Sequence, residues 1–190
     1  MSLTKYHSKR NFKTSPEPEG SVRRVGNKSL AFVVQEHAST NLHYDFRLEL
    51  DGVLKSWAVP KGPSMRPEDK RLAIMVEDHP YDYKDFEGTI EEGYGAGNVI
   101  VWDRGTYEAV DSTDMQASQK LIRSGLRKGH VDFILHGKKL KGRFSLIRLK
   151  GDKKKNWILV KNKDEHAVKT DVLKKNKSVL TGETISEKER

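Results

Sequence analysis

Four residues of types that bind metal ions and phosphate lie close together in the chain: His37, His43, Asp45 and Arg47. From His43 onward the residues alternate between polar and apolar types, which is typical of a strand with one buried face. His43, Asp45 and Arg47 would then stand in a row on one face, spaced about 6 to 7 Å apart. The opposite face would turn four apolar side chains toward the core: Tyr44, Phe46, Leu48 and Leu50.

This set of side chains fits a metal ion that faces a phosphate. Imidazole nitrogens and a carboxylate oxygen are good ligands for Mn²⁺, Zn²⁺ or Fe²⁺, and an adjacent guanidinium group can hold phosphate oxygens with its fork of donors. A turn over residues 38–41 would fold His37 back beside His43 and Asp45. The alternative is an ordinary strand whose outer face is polar.

A second alternating segment, residues 71–79, places Arg71, Glu77 and His79 on one side. Alone, it would fit an ordinary strand with a charged end. The connection before it is rich in proline and glycine, which predicts an extended and sharply turned loop with Lys61 at its bend. We expect Lys61 to point its ammonium group toward the phosphate, and a solvated lysine is the alternative.

The remaining pattern predicts a mainly β protein. Short strand segments follow one another closely, which favours a compact antiparallel β-barrel of about eight strands with one or two flanking helices. The predicted strands cover residues 31–34, 43–50, 54–59, 71–77, 98–102, 105–109, 131–136, 143–149 and 156–161. The glycines of the segment GYGAG, residues 93–97, do not fit a phosphate-binding loop and are interpreted as turn or bulge residues.

One helix is predicted over residues 115–128, ending at Gly129. Its cap would be Ser112, Thr113 or Asp114, and its inward residues would be Leu121, Ile122 and Leu126. We expect one domain over residues 1–163, with a basic N-terminal arm at 1–30. Residues 164–190 are polar and weakly periodic, which predicts a basic, partly disordered tail.

Composition excludes several classes of protein. No apolar run approaches the ~18 residues of a membrane span, and no signal peptide is recognisable. The absence of cysteine excludes disulfides and thiolate ligands and fits a cytoplasmic protein.

The net charge of +9 is unevenly distributed. Residues 36–111 carry 8 Lys and Arg against 16 Asp and Glu, whereas residues 138–190 carry 17 against 7. An acidic centre attracts cations and basic ends attract a polyanion, so a metal-dependent enzyme of nucleic acid is electrostatically coherent. The alternative for the lysine-rich ends is a solvated loop and tail.

The ordered motifs resemble the 3'-phosphoesterase domain of bacterial DNA ligase D. They are QEH at 35–37, LHYDFRLE at 42–49, KSWAVPKGP at 55–63, VEDHP at 76–80 and EGTIEEGYGAG at 87–97, and the resemblance runs from about Tyr6 to Val160. The chain contains no Lys-x-Asp-Gly nucleotidyl-transfer motif, so we expect a stand-alone member, as occurs in archaea and some bacteria.

The resemblance implies a metal-dependent enzyme, typically active with Mn²⁺ and with Zn²⁺ or Co²⁺ as alternatives, that trims DNA or RNA–DNA primer-template 3' ends. A 3'-terminal ribonucleotide is cut to leave a 3'-phosphate, which is then removed to leave a 3'-OH. Matching positions imply His37, His43 and Asp45 as metal ligands and Arg47 and His79 as phosphate contacts. Further positions around the active site are Gln35, Lys61, Arg71, Glu77, Tyr83, Arg10 and Glu17. The nucleophile of the first step, water or a neighbouring 2'-OH, stays open. Association with a separately encoded DNA ligase or polymerase is implied by family context.

One position departs from the family pattern. In the arm segment YHSKRNFKTSPEPEG, residues 6–20, Asn11 stands where an acid is usual. The arm contributes to the family's activity on ribonucleotide ends, so we expect the diesterase step to be weaker here than phosphate removal. Two other classes remain open: a non-catalytic nucleic-acid-binding barrel, and a metallohydrolase of small phosphoesters.

Overall fold

The structure is a computed structural model that describes residues 2–22, 29–112, 114–151 and 155–186. Its strands are β1 (Leu30–Ala38), β2 (Leu42–Leu50), β3 (Val53–Val59), β4 (Arg71–Met75), β5 (His79–Pro80), β6 (Gly88–Ile90), β7 (Gly97–Ala109), β8 (His130–Gly137), β9 (Lys141–Arg148) and β10 (Asn156–Lys161). The helices are α1 (Thr4–Ser8) and α2 (Met115–Lys128), with short 3-10 turns at Tyr81–Asp85 and Val172–Lys174.

Eight antiparallel strands close into a barrel. Their order is β1, β2, β3, β4, β10, β9, β8 and β7, and β7 pairs again with β1. The short strands β5 and β6 pair with β3 and β7 outside this ring. The prediction of an antiparallel barrel of about eight strands is confirmed.

The barrel interior is apolar, as the alternation in β2 predicts. Tyr44, Phe46, Leu48 and Leu50 are all buried in the main core, together with the three tryptophans. Since side chains alternate across a strand, the intervening polar residues of β2 face away from this core. Asp45, Arg47 and Glu49 are nevertheless buried, and the arm residues Leu3 and Tyr6 form a second apolar cluster with Val33 and Tyr83.

Three predictions of strand extent were wrong. The strand predicted over 31–34 runs from Leu30 to Ala38 and so includes Gln35 and His37. Residues 98–109 form one strand, because Asp103 in the expected break is buried and accepts N–H bonds from Lys138, Lys139 and Leu140 in the β8–β9 turn. The strand predicted over 71–77 ends at Met75, and His79 belongs to the separate strand β5. Alternation therefore does not place Arg71 beside His79.

Helix α2 begins and ends as predicted. Asp114 caps it by accepting the Ala117 N–H at 2.8 Å, and Gly129 ends it in the left-handed conformation, with φ of 89°. Thr113, one of the expected caps, lies outside the described residues. Ile122 is buried and Leu126 packs against the core, but Leu121 is 46% exposed, so its predicted inward position is wrong.

The C-terminal segment differs from the predicted disordered tail. Residues 164–186 run along the barrel: Val172 is buried in the main core and the Val179 N–H bonds to the Val101 carbonyl at 2.9 Å. Lys139 donates to the carbonyls of Lys175 and Lys177, both at 2.6 Å.

Residues 187–190 and, in the arm, residues 1 and 23–28 lie outside the described part. None of the described helices is long and apolar enough to cross a membrane.

Candidate active site

A cavity of about 210 Å³ lies on the outward face of β1, β2 and β3, beneath the N-terminal arm. Nine of the residues that the sequence predicts at an active site line this cavity. Those that line the cavity are Arg10, Glu17, His37, His43, Asp45, Arg47, Glu77, His79 and Tyr83. The outward faces of two neighbouring strands and one loop supply most of them.

The register between β1 and β2 assembles the candidate metal ligands. His37 pairs directly with His43 across the two strands, and Gln35 pairs with Asp45. His37 Nδ1 lies 3.5 Å from Asp45 Oδ2, and His43 Nε2 lies 3.7 Å from Asp45 Oδ1. One ligand atom from each of the three residues lies within 4.8 Å of the others, so this group can hold a divalent metal ion.

Backbone carbonyls determine which imidazole nitrogens are free. His37 Nε2 bonds to the Gly95 carbonyl and His43 Nδ1 to the Asn41 carbonyl, each at 2.9 Å. A carbonyl oxygen only accepts, so these nitrogens carry the protons and the lone pairs of a neutral ring lie on His37 Nδ1 and His43 Nε2. Two lone pairs facing one carboxylate repel it unless a cation lies between them, and His37 Nδ1 is buried with no hydrogen-bond partner among the described residues. The residues fit a metal ion.

Asp45 is held in its ionised form. Burial alone would raise the pKa of its carboxyl, but the adjacent Arg47 guanidinium lowers that pKa below its usual range. An ionised carboxylate beside two imidazole lone pairs is a ready-made cation ligand at neutral pH.

Arg47 is the cation at the floor of the cavity. Its side chain is 2% exposed and donates from Nη2 to Asp45 at 3.0 Å and from Nε to Gln35 Oε1 at 2.8 Å. The Tyr83 ring lies 4.8 Å from its guanidinium carbon. The third nitrogen, Nη1, is buried and has no partner in the described part of the chain. A buried cationic donor without a partner, on a residue that lines a cavity, could bind an anion there.

His79 is neutral in this arrangement. Its Nδ1 bonds to the Glu77 carbonyl at 3.0 Å, so Nε2 accepts a bond from Arg10 Nη2 at 3.2 Å. Burial, together with the Arg47 and Arg10 guanidinium groups, lowers the pKa of His79 well below its ordinary value. A protonated His79, which could donate a hydrogen bond to a phosphate, is therefore disfavoured.

The arm reaches the cavity through Arg10. Its guanidinium group bonds to Glu17 at 2.9 Å and to Glu77 at 3.2 Å, and it stacks 3.9 Å above the Tyr6 ring. Glu17 also accepts the Tyr83 hydroxyl at 2.8 Å. Burial raises the pKa of Tyr83 well above its ordinary value, so its hydroxyl stays a donor to Glu17. Arg10 and Glu17 therefore form one wall of the cavity.

Three expected residues stand elsewhere. Gln35 lies behind the cavity and holds Arg47, while its amide nitrogen donates to the carbonyls of Tyr83 and Phe86 at 3.0 and 2.9 Å. Lys61 is exposed on the turn after β3 and does not line the cavity. Arg71 bonds to Asp69 at 2.8 Å and is also outside the cavity. The alternation that was expected to place it beside Glu77 is interrupted, because β4 ends at Met75. Their predicted roles stay predictions.

Sequence reasoning missed Tyr94, which lines the cavity and lies in the GYGAG segment. That segment was interpreted only as a turn, and its glycines do have positive φ at Gly93 and Gly95, 86° and 85°. The available signal was an aromatic residue between two glycines, which a simple turn does not need.

The family model of the DNA ligase D 3'-phosphoesterase domain matches residues 35–148, which contain the candidate metal ligands, Arg47 and His79. The chain belongs to this family. The family is one of phosphoester hydrolases, and the chain is assigned to that general class of enzyme.

Relatives with curated names agree. The chain is 52% identical over 191 residues, 96% of its length, to the multifunctional non-homologous end joining protein LigD of Pseudomonas aeruginosa. It is 42% identical over 86% and 90% of its length to LigD proteins of Mycolicibacterium smegmatis and Mycobacterium tuberculosis, the latter named as a DNA repair protein. The aligned part covers only 21 to 22% of each of these relatives.

Proposed function

We propose that this family member is a metal-dependent DNA 3'-end-healing enzyme. It removes a 3'-terminal ribonucleotide and then the 3'-phosphate from primer-template ends, and so leaves a 3'-OH. The proposal makes it both a 3'-phosphodiesterase and a 3'-phosphomonoesterase. The observation that carries it is the buried, unsatisfied Nη1 of Arg47 beside the His37, His43 and Asp45 group.

The three ligands would hold a divalent ion, and we propose Mn²⁺, with Zn²⁺ or Co²⁺ as substitutes. Two nitrogens and one carboxylate oxygen suit any of these metals, and the chain contains no cysteine that would favour a softer ion. When bound, the metal supplies Lewis-acid charge neutralisation at a phosphoryl oxygen.

Arg47 is proposed to bind the scissile phosphate. Gln35 and Asp45 hold two of its nitrogens in place. The side chain therefore needs no further ordering before the remaining nitrogen, Nη1, binds a phosphate oxygen. Preorganised donors stabilise developing charge because they need no rearrangement during the reaction. Tyr83 supports the guanidinium plane from one side.

His79 is proposed to contact the phosphate only after its bond with Arg10 is replaced. In the present arrangement it accepts from Arg10 and donates to the Glu77 carbonyl, and so positions the arm residue at the cavity wall. Arg10 is already bonded to Glu17 and Glu77, so its charge is largely balanced by protein carboxylates. Arg47 is then the principal cationic contact.

A nucleic-acid substrate is supported by charge outside the cavity. A depression between the β8–β9 turn and the C-terminal segment is lined by four lysines and two acids: Lys138, Lys139, Lys141, Lys175, Glu165 and Asp171. Clustered lysines attract the phosphate backbone of DNA and release its counterions. We propose DNA or RNA–DNA primer-template ends as the substrate, a cytoplasmic location, and a separately encoded DNA ligase or polymerase as the enzyme that uses the 3'-OH.

A substrate comparison tests the proposal. The protein is incubated with Mn²⁺ and either a primer-template ending in a 3'-phosphate or a free nucleoside 3'-phosphate. We expect phosphate release from the primer-template at low concentration and little from the free nucleotide. Equal rates on both would indicate a hydrolase of small phosphoesters, and binding to DNA without turnover would indicate a non-catalytic barrel.

Metal binding is measured separately by calorimetry with Mn²⁺. His43→Ala should weaken binding at least tenfold, because it removes one of three ligands. His136→Ala, which changes an exposed histidine paired with Glu108, is the matched control and should bind like wild type. Unchanged binding in His43→Ala would exclude the proposed ligand set.

A further inference from the structure

A second cavity of about 350 Å³ adjoins the candidate active site. Arg10, Glu17 and Tyr94 line both cavities, so these three side chains form the wall between them. The second cavity is otherwise built from the arm and the tip of the GYGAG loop. Its remaining polar side chains belong to Ser8, Lys9, Asn11, Thr14, Ser15 and Glu92.

The two proposed substrates differ in what surrounds the phosphorus atom. A 3'-phosphate carries a nucleoside on one side only, whereas a terminal diester carries a second nucleoside on the other side. During diester cleavage an oxygen nucleophile bonds to phosphorus, the bond from phosphorus to the terminal nucleoside's 5'-oxygen breaks, and that oxygen takes the nucleophile's proton. Where the preceding nucleoside carries a 2'-OH, that group can attack instead of water and forms a 2',3'-cyclic phosphate, which water then opens to the monoester. The same nucleoside leaves by either route. Diester cleavage therefore needs room for a group that phosphate removal does not.

Tyr94 has the properties of a surface on which a base can stack. Its ring is 48% exposed, unusual for a large aromatic side chain at a cavity wall. The Lys9 ammonium lies 4.0 Å from the ring centroid, and the guanidinium carbon of Arg10 lies 5.6 Å from it. A base that stacks on this ring would replace the contact with Lys9, whose ion pair with Glu77 at 2.9 Å does not depend on Tyr94.

The ring is also fixed relative to the metal ligands. The next residue, Gly95, accepts the His37 Nε2 proton through its carbonyl at 2.9 Å. The backbone that carries Tyr94 is therefore bonded to the residue whose other nitrogen faces Asp45. A nucleoside stacked on Tyr94 would be held at a set distance from the phosphate site.

We propose that the second cavity is the subsite for the nucleoside that leaves in diester cleavage, and that Tyr94 stacks on its base. The volume is within the range of small-ligand sites, about 300–1,000 Å³. The neutral groups of Asn11, Thr14 and Ser15 offer hydrogen bonds to ribose hydroxyls or base edges without demanding one base. The subsite rests on the proposed end-healing function and makes Tyr94 a determinant of its specificity.

The test compares two substrates and three variants. Tyr94→Ala removes the ring, Tyr94→Phe keeps it, and Leu121→Ala trims a side chain of similar exposure on α2. Rates are measured on primers ending in a ribonucleotide or in a 3'-phosphate. The ratio of diester cleavage to phosphate removal should fall about tenfold in Tyr94→Ala, because the departing base would lose its stacking contact and phosphate removal does not use that contact. It should stay near wild type in the other two variants.

A binding measurement separates this inference from the proposed function. A primer-template with 2-aminopurine riboside at its 3' end is titrated with protein in EDTA, and stacking on Tyr94 should quench its fluorescence. Quenching by wild type and Tyr94→Phe that Tyr94→Ala loses supports the subsite, even if turnover is absent. An unchanged rate ratio, or quenching that survives in Tyr94→Ala, would overturn it.

Discussion

Arg47 donates a 3.0 Å hydrogen bond from Nη2 to Asp45 Oδ2, two positions away on the same strand face. The candidate phosphate anchor is thus bonded directly to a candidate metal ligand. Because Asp45 offers one oxygen to each histidine, it stands at the centre of the site. The geometry couples the position of the cation site to that of the phosphate site.

Arg47→Lys should lower turnover by about tenfold to hundredfold. Lysine keeps the charge but lacks the planar fork of donors that lets arginine bond to Gln35, Asp45 and a phosphate at the same time. Each hydrogen bond to a charged group contributes about 1.5–3 kcal/mol. Steady-state rates on a 3'-phosphate primer measure the loss. Arg66→Lys, at an exposed pair with Glu68, is the control and should retain wild-type rates. Full activity of Arg47→Lys would show that the fork is not used.

The low pKa of His79 predicts a pH-dependent stability. A histidine that is buried and neutral in the folded protein binds a proton more readily in the unfolded chain, where its pKa is about 6.5. Its contribution is therefore complete above pH 6.5 and is lost as the pH falls toward the lower folded pKa. The loss is at most about 1.4 kcal/mol for each pH unit.

Urea unfolding of wild type and His79→Asn in EDTA, between pH 7 and 5, measures this term. Stability of the wild type should fall more steeply with decreasing pH than that of the variant, whatever the variant's absolute stability. Parallel slopes would mean that His79 titrates in the folded protein as it does in the unfolded chain. A wild-type stability that falls less steeply than that of the variant would mean that His79 is protonated in the folded protein.

The C-terminal segment should contribute to stability through Val172. This side chain is 5% exposed and belongs to the main core, whereas Val168 in the same segment is 43% exposed. Val172→Ala should cost about 1–3 kcal/mol of unfolding free energy, and Val168→Ala should stay within about 0.5 kcal/mol. Thermal or urea denaturation of the two variants decides. Equal and negligible effects would support the disordered tail predicted from the sequence.

Local periodicity predicted the part of the site that lies on paired strands. The alternation in β2 places His43, Asp45 and Arg47 on one face, and the short turn after β1 brings His37 back beside them. This succeeds because side-chain direction along a strand depends only on position. The same rule failed for Arg71, because β4 ends at Met75 and the chain then moves to pair with the other end of β3.

Contacts between distant segments were not readable in the same way. Glu77 meets Lys9 and Arg10 across nearly seventy positions, and no periodic pattern connects the arm with that acid. The family resemblance, rather than the pattern, pointed to Arg10 and Glu17. Lys139 binds backbone carbonyls of the C-terminal segment. Every residue has a backbone carbonyl, so such contacts cannot be predicted from side-chain types.

Metal-dependent end healing can be measured with a 5'-labelled primer-template that ends in a 3'-phosphate or a single ribonucleotide. Wild type and Asp45→Ala are each incubated with Mn²⁺ or with EDTA, and the products are resolved on a gel. We expect wild type to convert the primer to a 3'-OH end with Mn²⁺ but not with EDTA, and Asp45→Ala to convert it under neither condition. No conversion by wild type with any divalent metal, or full conversion by Asp45→Ala, would contradict the proposed function.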